Sequence, residues 1–177
     1  QHRPAGPFSG GKYSVLEGGT RTPFIVRWPG VIRPGESDEL VCTIDLASSL
    51  ATLTGASVPD AACLDSLDIL DALLGVAGAH GRDHLVQQDN GRRGNFGYRK
   101  GRWKLQRHDS RRARNVRLRL TADTVSRFRL YDLSSDPQES RDVSKQHPER
   151  TQQMVQDLAK LIADGRTRPI VESTRHR

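Results

Sequence analysis

At 177 residues and a net charge of +7, the chain has room for one medium domain, or for the end of one domain plus a small second one. Hydrophobic residues make up 34% and aromatics 5%, against 28% charged, and no apolar run reaches the ~18 residues that a membrane-crossing helix needs. The basic balance suits anionic partners such as nucleic acid, a membrane surface, or a sulfated or phosphorylated substrate, without choosing among them. No charged start followed by an apolar stretch marks a signal peptide. The chain begins at Gln1 without a Met, which fits a truncated or processed product better than a complete gene product. Cys42 and Cys63 form no CxxC and have no His at metal-ligand spacing. They read as small apolar residues, with a single disulfide left open.

Residues 1–22 are glycine-rich and predict an irregular loop. Phe24-Ile25-Val26-Arg27-Trp28 predicts a short buried strand stopped by Pro29-Gly30, and Val31 to Gly35 a second extended piece ending in a turn. A helix follows, capped by Thr43 or Asp45. Ile44, Leu46, Ala47, Leu50, Ala51 and Leu53 form its apolar face, and Gly55 sits at its C-terminal stop. Leu67 to Leu74 predict a short helix ending at Gly75, and residues 75–81 a flexible boundary.

Residues 82–133 read as β structure. His84-Leu85-Val86 is one strand, and Asp89-Asn90-Gly91 a turn. Phe96 and Tyr98 share a face of the next strand, and Trp103 and Leu105 of the one after, with Lys100-Gly101 as the tight hairpin between them. Phe128, Leu130 and Tyr131 give another strand, turned at Asp136-Pro137. The last element is a helix opened by Pro148 and Glu149. Met154, Val155, Leu158, Leu161 and Ile162 form its stripe and Gly165 its end.

The local feature closest to chemistry is Gly10-Gly11-Lys12. Glycines let backbone approach an anion, and lysine adds a point charge. Gly6, four residues and Gly11-Lys12 nearly spell a P-loop, but Tyr13 stands where the magnesium-binding hydroxyl belongs, and two prolines replace the preceding strand. Alone, the motif is no more than a solvated loop lysine. Its context is more specific. Gly11-Lys12, then Glu17-Gly18-Gly19-Thr20-Arg21-Thr22-Pro23, an apolar run and Trp28-Pro29-Gly30 resemble, in order, a segment of the sulfatase family. Gly101-Arg102-Trp103-Lys104-Leu105, then Leu130-Tyr131-Asp132-Leu133 with Asp136-Pro137-Gln138-Glu139, and His147-Pro148-Glu149 resemble that family's C-terminal hairpin, closing strand and last helix. The likeness spans about residues 6–165.

This resemblance implies an α/β fold. Residues 1–79 would be the end of the large sulfatase sheet domain, and residues 80–177 a smaller α+β domain with an antiparallel sheet and one long helix. It implies hydrolysis of sulfate monoesters, aryl or carbohydrate, by a formylglycine nucleophile beside a bound Ca2+ or Mg2+. Lys12 falls on the family lysine that binds a sulfate oxygen and helps protonate the leaving group. Glu17 and Arg21 are read as structural support of that loop, Arg21 by forking onto a carboxylate, and Trp28 and Trp103 as core aromatics. The formylglycine motif Cys-x-Pro-x-Arg is absent, because neither Cys42 nor Cys63 has the required followers. Asp89-Asn90 lies on the wrong side of Lys12 to be the family's metal-binding pair. Nucleophile, metal ligands and catalytic histidines are therefore expected outside this chain, in a missing N-terminal part of the same enzyme, and the isolated chain is expected to be inactive. Family members are often exported. Two other readings stand beside this one: a phosphate or phosphonate ester hydrolase of the same superfamily, and a non-catalytic polyanion-binding module. The run Arg107, His108, Arg111, Arg112, Arg114, Arg117, Arg119 fits a solvated loop first, a rim for sulfated sugars second and nucleic acid last.

Overall fold

The computed structural model describes residues 5–90, 95–108 and 127–170. Gly91 of the expected turn, and Arg111, Arg112, Arg114, Arg117 and Arg119 of the basic run, lie outside the described residues. The chain forms two compact units, one from Gln1–Phe24 with His84–Leu158 and one from Ile25–Asp83 with Ala159–Arg177.

The first unit is built on a four-stranded antiparallel meander in the order β1-β2-β3-β4. Its strands are β1 His84–Gln88, β2 Phe96–Lys100, β3 Trp103–Arg107 and β4 Phe128–Asp132. The β2–β3 hairpin closes in two residues, with Gly101 at φ +56°, where a side chain would be strained. Register follows from alternation. Val86, Tyr98, Leu105 and Leu130 lie opposite one another on one face, and Tyr98, Leu105 and Leu130 are almost wholly buried. The long helix α4, Pro148–Asp164, meets this face: Asp157 accepts from the Tyr98 hydroxyl at 3.4 Å and pairs with Lys100 at 3.1 Å. Met154 and Leu158 of its apolar stripe are buried. Trp103 packs edge-on against His147 at 4.9 Å, with the Arg102 guanidinium over its ring.

The opposite face of the same sheet carries Leu85, Gln87, Gly97, Arg99, Lys104, Gln106, Arg129 and Tyr131. It is polar for a buried surface, yet Lys104 and Gln106 are as enclosed as the apolar side. A short helix, α1 Glu17–Thr20, follows directly after the segment that packs here, within the stretch expected to be irregular.

The second unit departs from the sequence expectation in what it buries. Residues 24–28 form no strand: Ile25 is 89% exposed and Trp28 42%. A strand needs a hydrogen-bonded neighbour, and among the described residues none pairs with this run. Trp28 is thus not a core aromatic in this structure. Residues 31–35 turn rather than extend, with Val31 and Ile32 N–H both donating to the Trp28 carbonyl. The expected helix is present, as a 3₁₀ turn Thr43–Asp45 running into α2 Leu46–Leu53, but its outward and inward sides are reversed. Ile44, Leu50 and Leu53 are exposed, while Asp45, Ser48 and Ser49 are buried. The reversal has a hydrogen-bonding cause. Ser48 donates twice to Ser66, from its N–H to Oγ and from its hydroxyl to the carbonyl, Ser49 Oγ accepts from the Ile69 N–H, and Asp45 accepts from the Cys42 and Leu67 N–H groups while pairing with buried Arg82. The helix uses its polar side to hold the loop leading to α3, Leu70–Leu73. Cys42 and Cys63 are both free thiols.

Candidate functional site

Lys12 sits on a tight turn laid directly against α1. The Ser14 N–H donates to the Gly11 carbonyl at 3.1 Å, and the Gly18 N–H to the Ser9 carbonyl at 2.8 Å. The contact leaves no room for side chains: a Cβ on Gly18 would stand 2.5 Å from the Ser9 oxygen, and one on Gly19 2.5 Å from the Ser14 oxygen. The Gly-Gly pair after Glu17 is therefore what lets backbone lie on backbone here. Tyr13 is held at φ +76°, a left-handed conformation that costs a non-glycine residue about 1–2 kcal/mol, so the packing around the turn imposes its shape. Lys12 itself is exposed. Its ammonium lies 4.8 Å from the centre of the Tyr13 ring, and among the described residues it has no carboxylate partner. A cavity at the start of α4 is lined by Trp103, His147 and Arg150 among others and does not include Lys12.

Beneath the turn lies a buried cluster of charge on the polar face of the sheet. Val15, 5% exposed, packs over Gly97, where an added Cβ would meet the Val15 Cβ at 3.3 Å. Two residues on, the Glu17 carboxylate receives Lys104 Nζ at 2.8 Å, and the Glu17 N–H donates to Glu139 Oε2 at 2.6 Å. Glu139 Oε1 takes the same Lys104 ammonium at 3.0 Å and the Gln106 amide at 2.8 Å. Arg99 and Arg21 lie 3.7 and 3.8 Å from the other Glu17 oxygen. Lys104 and Glu139 side chains are fully buried, Glu17 nearly so. Burial pushes the Glu139 carboxyl above its ordinary value, and Lys104 with the Glu17 N–H only partly offsets this. Burial likewise raises the Tyr131 hydroxyl on the same face, opposed by Arg129.

Glu139 reaches the cluster from a turn that Asp136 builds. The Asp136 carboxylate accepts from the Ser140 and Arg141 N–H groups and the Ser140 hydroxyl, all within 3.1 Å. Glu139 sits in it at φ +56°. The structure thus brings Glu17 and Arg21 together. Arg21 makes one long contact rather than a fork, and its guanidinium also covers the Phe8 ring at 4.8 Å. Sequence reasoning missed Lys104, Gln106 and Glu139. The available signal was a lysine and a glutamine alternating with Trp103 and Leu105 on a strand whose other face is core.

Among the described residues no three His, Cys, Asp or Glu side chains converge to hold a metal. Among the described residues the buried carboxylates are already engaged: Glu17 and Glu139 with Lys104, Asp45 with Arg82, and Asp136 with Ser140 and the Arg141 N–H. This donor set does not fit a Ca2+ or Mg2+ centre.

The family described as N-sulphoglucosamine sulphohydrolase, C-terminal, matches residues 11–167, from the Lys12 turn to beyond α4. The chain belongs to this sulfatase family. The N-acetylgalactosamine-6-O-sulfatase of Bacteroides thetaiotaomicron is 38% identical over 167 residues, covering 94% of this chain and 31% of that protein. Human arylsulfatase A is 33% identical over 164 residues, covering 85% and 31%. A solved structure from work on the metabolism of multiple glycosaminoglycans by B. thetaiotaomicron superposes with a TM-score of 0.78 at 36% identity, over 90% of this chain and 33% of that one. The Pseudoalteromonas sulfatase PsFucS1 shares the fold, with a TM-score of 0.71 at 23% identity. The chain therefore spans about a third of the length of the sulfatases it matches, at their C-terminal end.

Proposed function

We propose that this chain is the C-terminal part of a sulfuric ester hydrolase, to which it contributes Lys12 as a substrate-binding and catalytic cation. Residues 1–79 would end the catalytic domain and residues 80–177 form the smaller C-terminal domain. The observation that carries the proposal is the placement of the family's Gly-Lys and Glu-Gly-Gly motifs: the glycines clamp the turn from behind, and among the described residues the lysine meets no carboxylate. An ammonium so held is available to an anionic ester. It would bind a sulfate oxygen, and as the S–O bond breaks the departing alcohol oxygen would keep the electron pair and take a proton from Lys12. Preorganised positive charge of this kind serves the transition state more than the ground state.

The nucleophile, formylglycine in this reading, and a Ca2+ or Mg2+ that neutralises sulfate oxygens are assigned to residues outside this chain. The substrate class proposed is a sulfated carbohydrate or other sulfated small molecule, supported by the sugar sulfate named for the B. thetaiotaomicron relative.

The test is turnover by the full-length protein. Aryl sulfate should be hydrolysed in preference to aryl phosphate, and Lys12→Ala should lower kcat/KM by about 10²–10³-fold with melting unchanged. The isolated 177-residue chain should show no turnover. Preference for phosphate would replace the reaction class, and activity of the isolated chain would overturn the division of the site.

A further inference from the structure

The buried cluster links the reactive turn to the small sheet through a short chain of contacts. Lys12 is five residues from Glu17. Between them Val15 is wedged over Gly97 and the turn is locked to α1 through Gly18. Glu17 is then fixed twice, by its backbone N–H to Glu139 and by its carboxylate to Lys104. Hydrophobic packing alone would hold Glu17 in place with less free energy lost to desolvation, since replacing buried ion pairs by apolar groups is often neutral or stabilising. What charge-assisted bonds at two points, backbone and side chain, add is geometric definition. Burial disfavours the ionised form of Glu139, yet both its oxygens are engaged, by the Glu17 N–H, Lys104 and Gln106.

We infer that Glu139 and Lys104 are positioning residues for the sulfatase reaction, setting the place of Lys12 through Glu17 rather than touching substrate. This inference rests on the assignment of Lys12 above. A turn loosened at its Glu17 end still presents a lysine, but over a wider range of positions. Misplacement of a catalytic group by about 1 Å costs on the order of 10²-fold in rate. Substrates whose alcohol leaves poorly need the proton most and should lose most.

The test is a double-mutant cycle in the full-length enzyme, using a nitrophenyl sulfate as good leaving group and an alkyl sulfate as poor one. Glu139→Gln keeps shape but replaces one of two accepting oxygens by an NH2 that faces a buried donor, so it should melt lower than the parent and is assayed well below its melting temperature. It should lower kcat about 10- to 100-fold with little change in KM, and more for the alkyl than for the nitrophenyl ester. In a Lys12→Ala background the same substitution should add almost nothing, because its effect passes through Lys12. Lys104→Arg, which keeps the charge, should retain more activity than Lys104→Met. Equal losses for both esters, or a Glu139→Gln loss undiminished in Lys12→Ala, would overturn the positioning role while leaving Lys12 in place. Full activity in Lys12→Ala would instead overturn the site itself.

Discussion

In the unit built on the sheet, the buried side chains are Tyr98, Leu105, Leu130 and Met154, and the charges that share the interior meet partners of opposite sign. In the unit built on α2, the buried side chains are Asp45, Ser48, Ser49, Ser66 and Arg82 with one apolar residue, Ile69, while Ile25, Trp28, Ile44 and Leu50 lie in the open. The first unit closes an apolar core and then adds a polar layer on the other side of the sheet. The second is organised by hydrogen bonds around one buried ion pair, with Ile69 enclosed and Ile25, Trp28, Ile44 and Leu50 outward. A hydrophobic stripe in sequence shows that a surface will be covered in some assembly. It does not show that the cover lies within the same unit.

The largest effects should come from the two buried ionic centres, and they should stay separate. Lys104→Met leaves Glu17 and Glu139 buried without their shared cation, a change that costs about 3–5 kcal/mol when one partner of a buried pair is removed. Asp45→Ala removes the acceptor of two N–H groups and of the Arg82 guanidinium, with a similar expected cost. Amide hydrogen exchange resolves local stability. Lys104→Met should strip protection from β2 and β3 while sparing α2, and Asp45→Ala should do the reverse. Loss of protection in both units from either change would mean that the contrast drawn here is not energetic. Adding Glu139→Gln to Lys104→Met should recover part of the loss, since it removes one of the stranded charges.

Much of this was legible before any coordinates. The four strands announce themselves through alternation and hairpin residues, and α4 through the part of its stripe, Met154 and Leu158, that is buried within the sheet's unit. The Lys12 turn was legible only as an ordered motif. The reason for its glycines, a backbone-on-backbone contact with Ser9 and Ser14, depends on three-dimensional approach that spacing does not encode. Lys104 and Glu139 were hidden for a different reason. They are 35 residues apart, as their numbers show, and charged side chains are read as solvent-facing unless a partner is visible. The run 24–28 misled in the opposite direction: its composition fits a strand, but strand formation depends on a neighbour that the described residues do not supply.

A middling effect should appear on acidification, and it sharpens the contrast within the turn at 136–141. Burial alone would raise the Asp136 carboxyl, but the Arg141 and Ser140 N–H groups, helped by the Ser140 hydroxyl, outweigh it and hold it below 3.8. The stability it contributes is present above that ordinary value and lost as pH falls through the lower, folded one. Glu139 has the opposite sense: its raised carboxyl adds stability below its ordinary 4.5 that is lost as pH rises through the folded value. Asp136→Asn should therefore destabilise the turn by about 1.5–3 kcal/mol at neutral pH, and the gap from the parent should narrow as pH falls below 3.8. Glu139→Gln should lower neutral stability, through the acceptor it loses to the Glu17 N–H or Lys104, and remove the acid-side gain. Thermal melts of both variants across this range check the two signs. A constant gap for Asp136→Asn would mean that its carboxylate acts by shape rather than by charge.

The smallest effect on folding should come from the exposed apolar side chains, where it would be matched by a large effect on association. Leu50 is 51% exposed and Ile25 89%, so Leu50→Lys and Ile25→Lys should each shift stability by no more than about 0.5 kcal/mol. Open apolar surface of this kind promotes self-association, and the isolated chain should accordingly sediment as more than a monomer, with an apparent mass that rises with concentration. The two lysine substitutions together should return it toward the monomer while exchange protection in β3 stays as it was. A parent chain that sediments as a monomer and melts in one sharp transition would show that the second unit satisfies its own surface, and the difference between the units would then lie in hydrogen bonding alone.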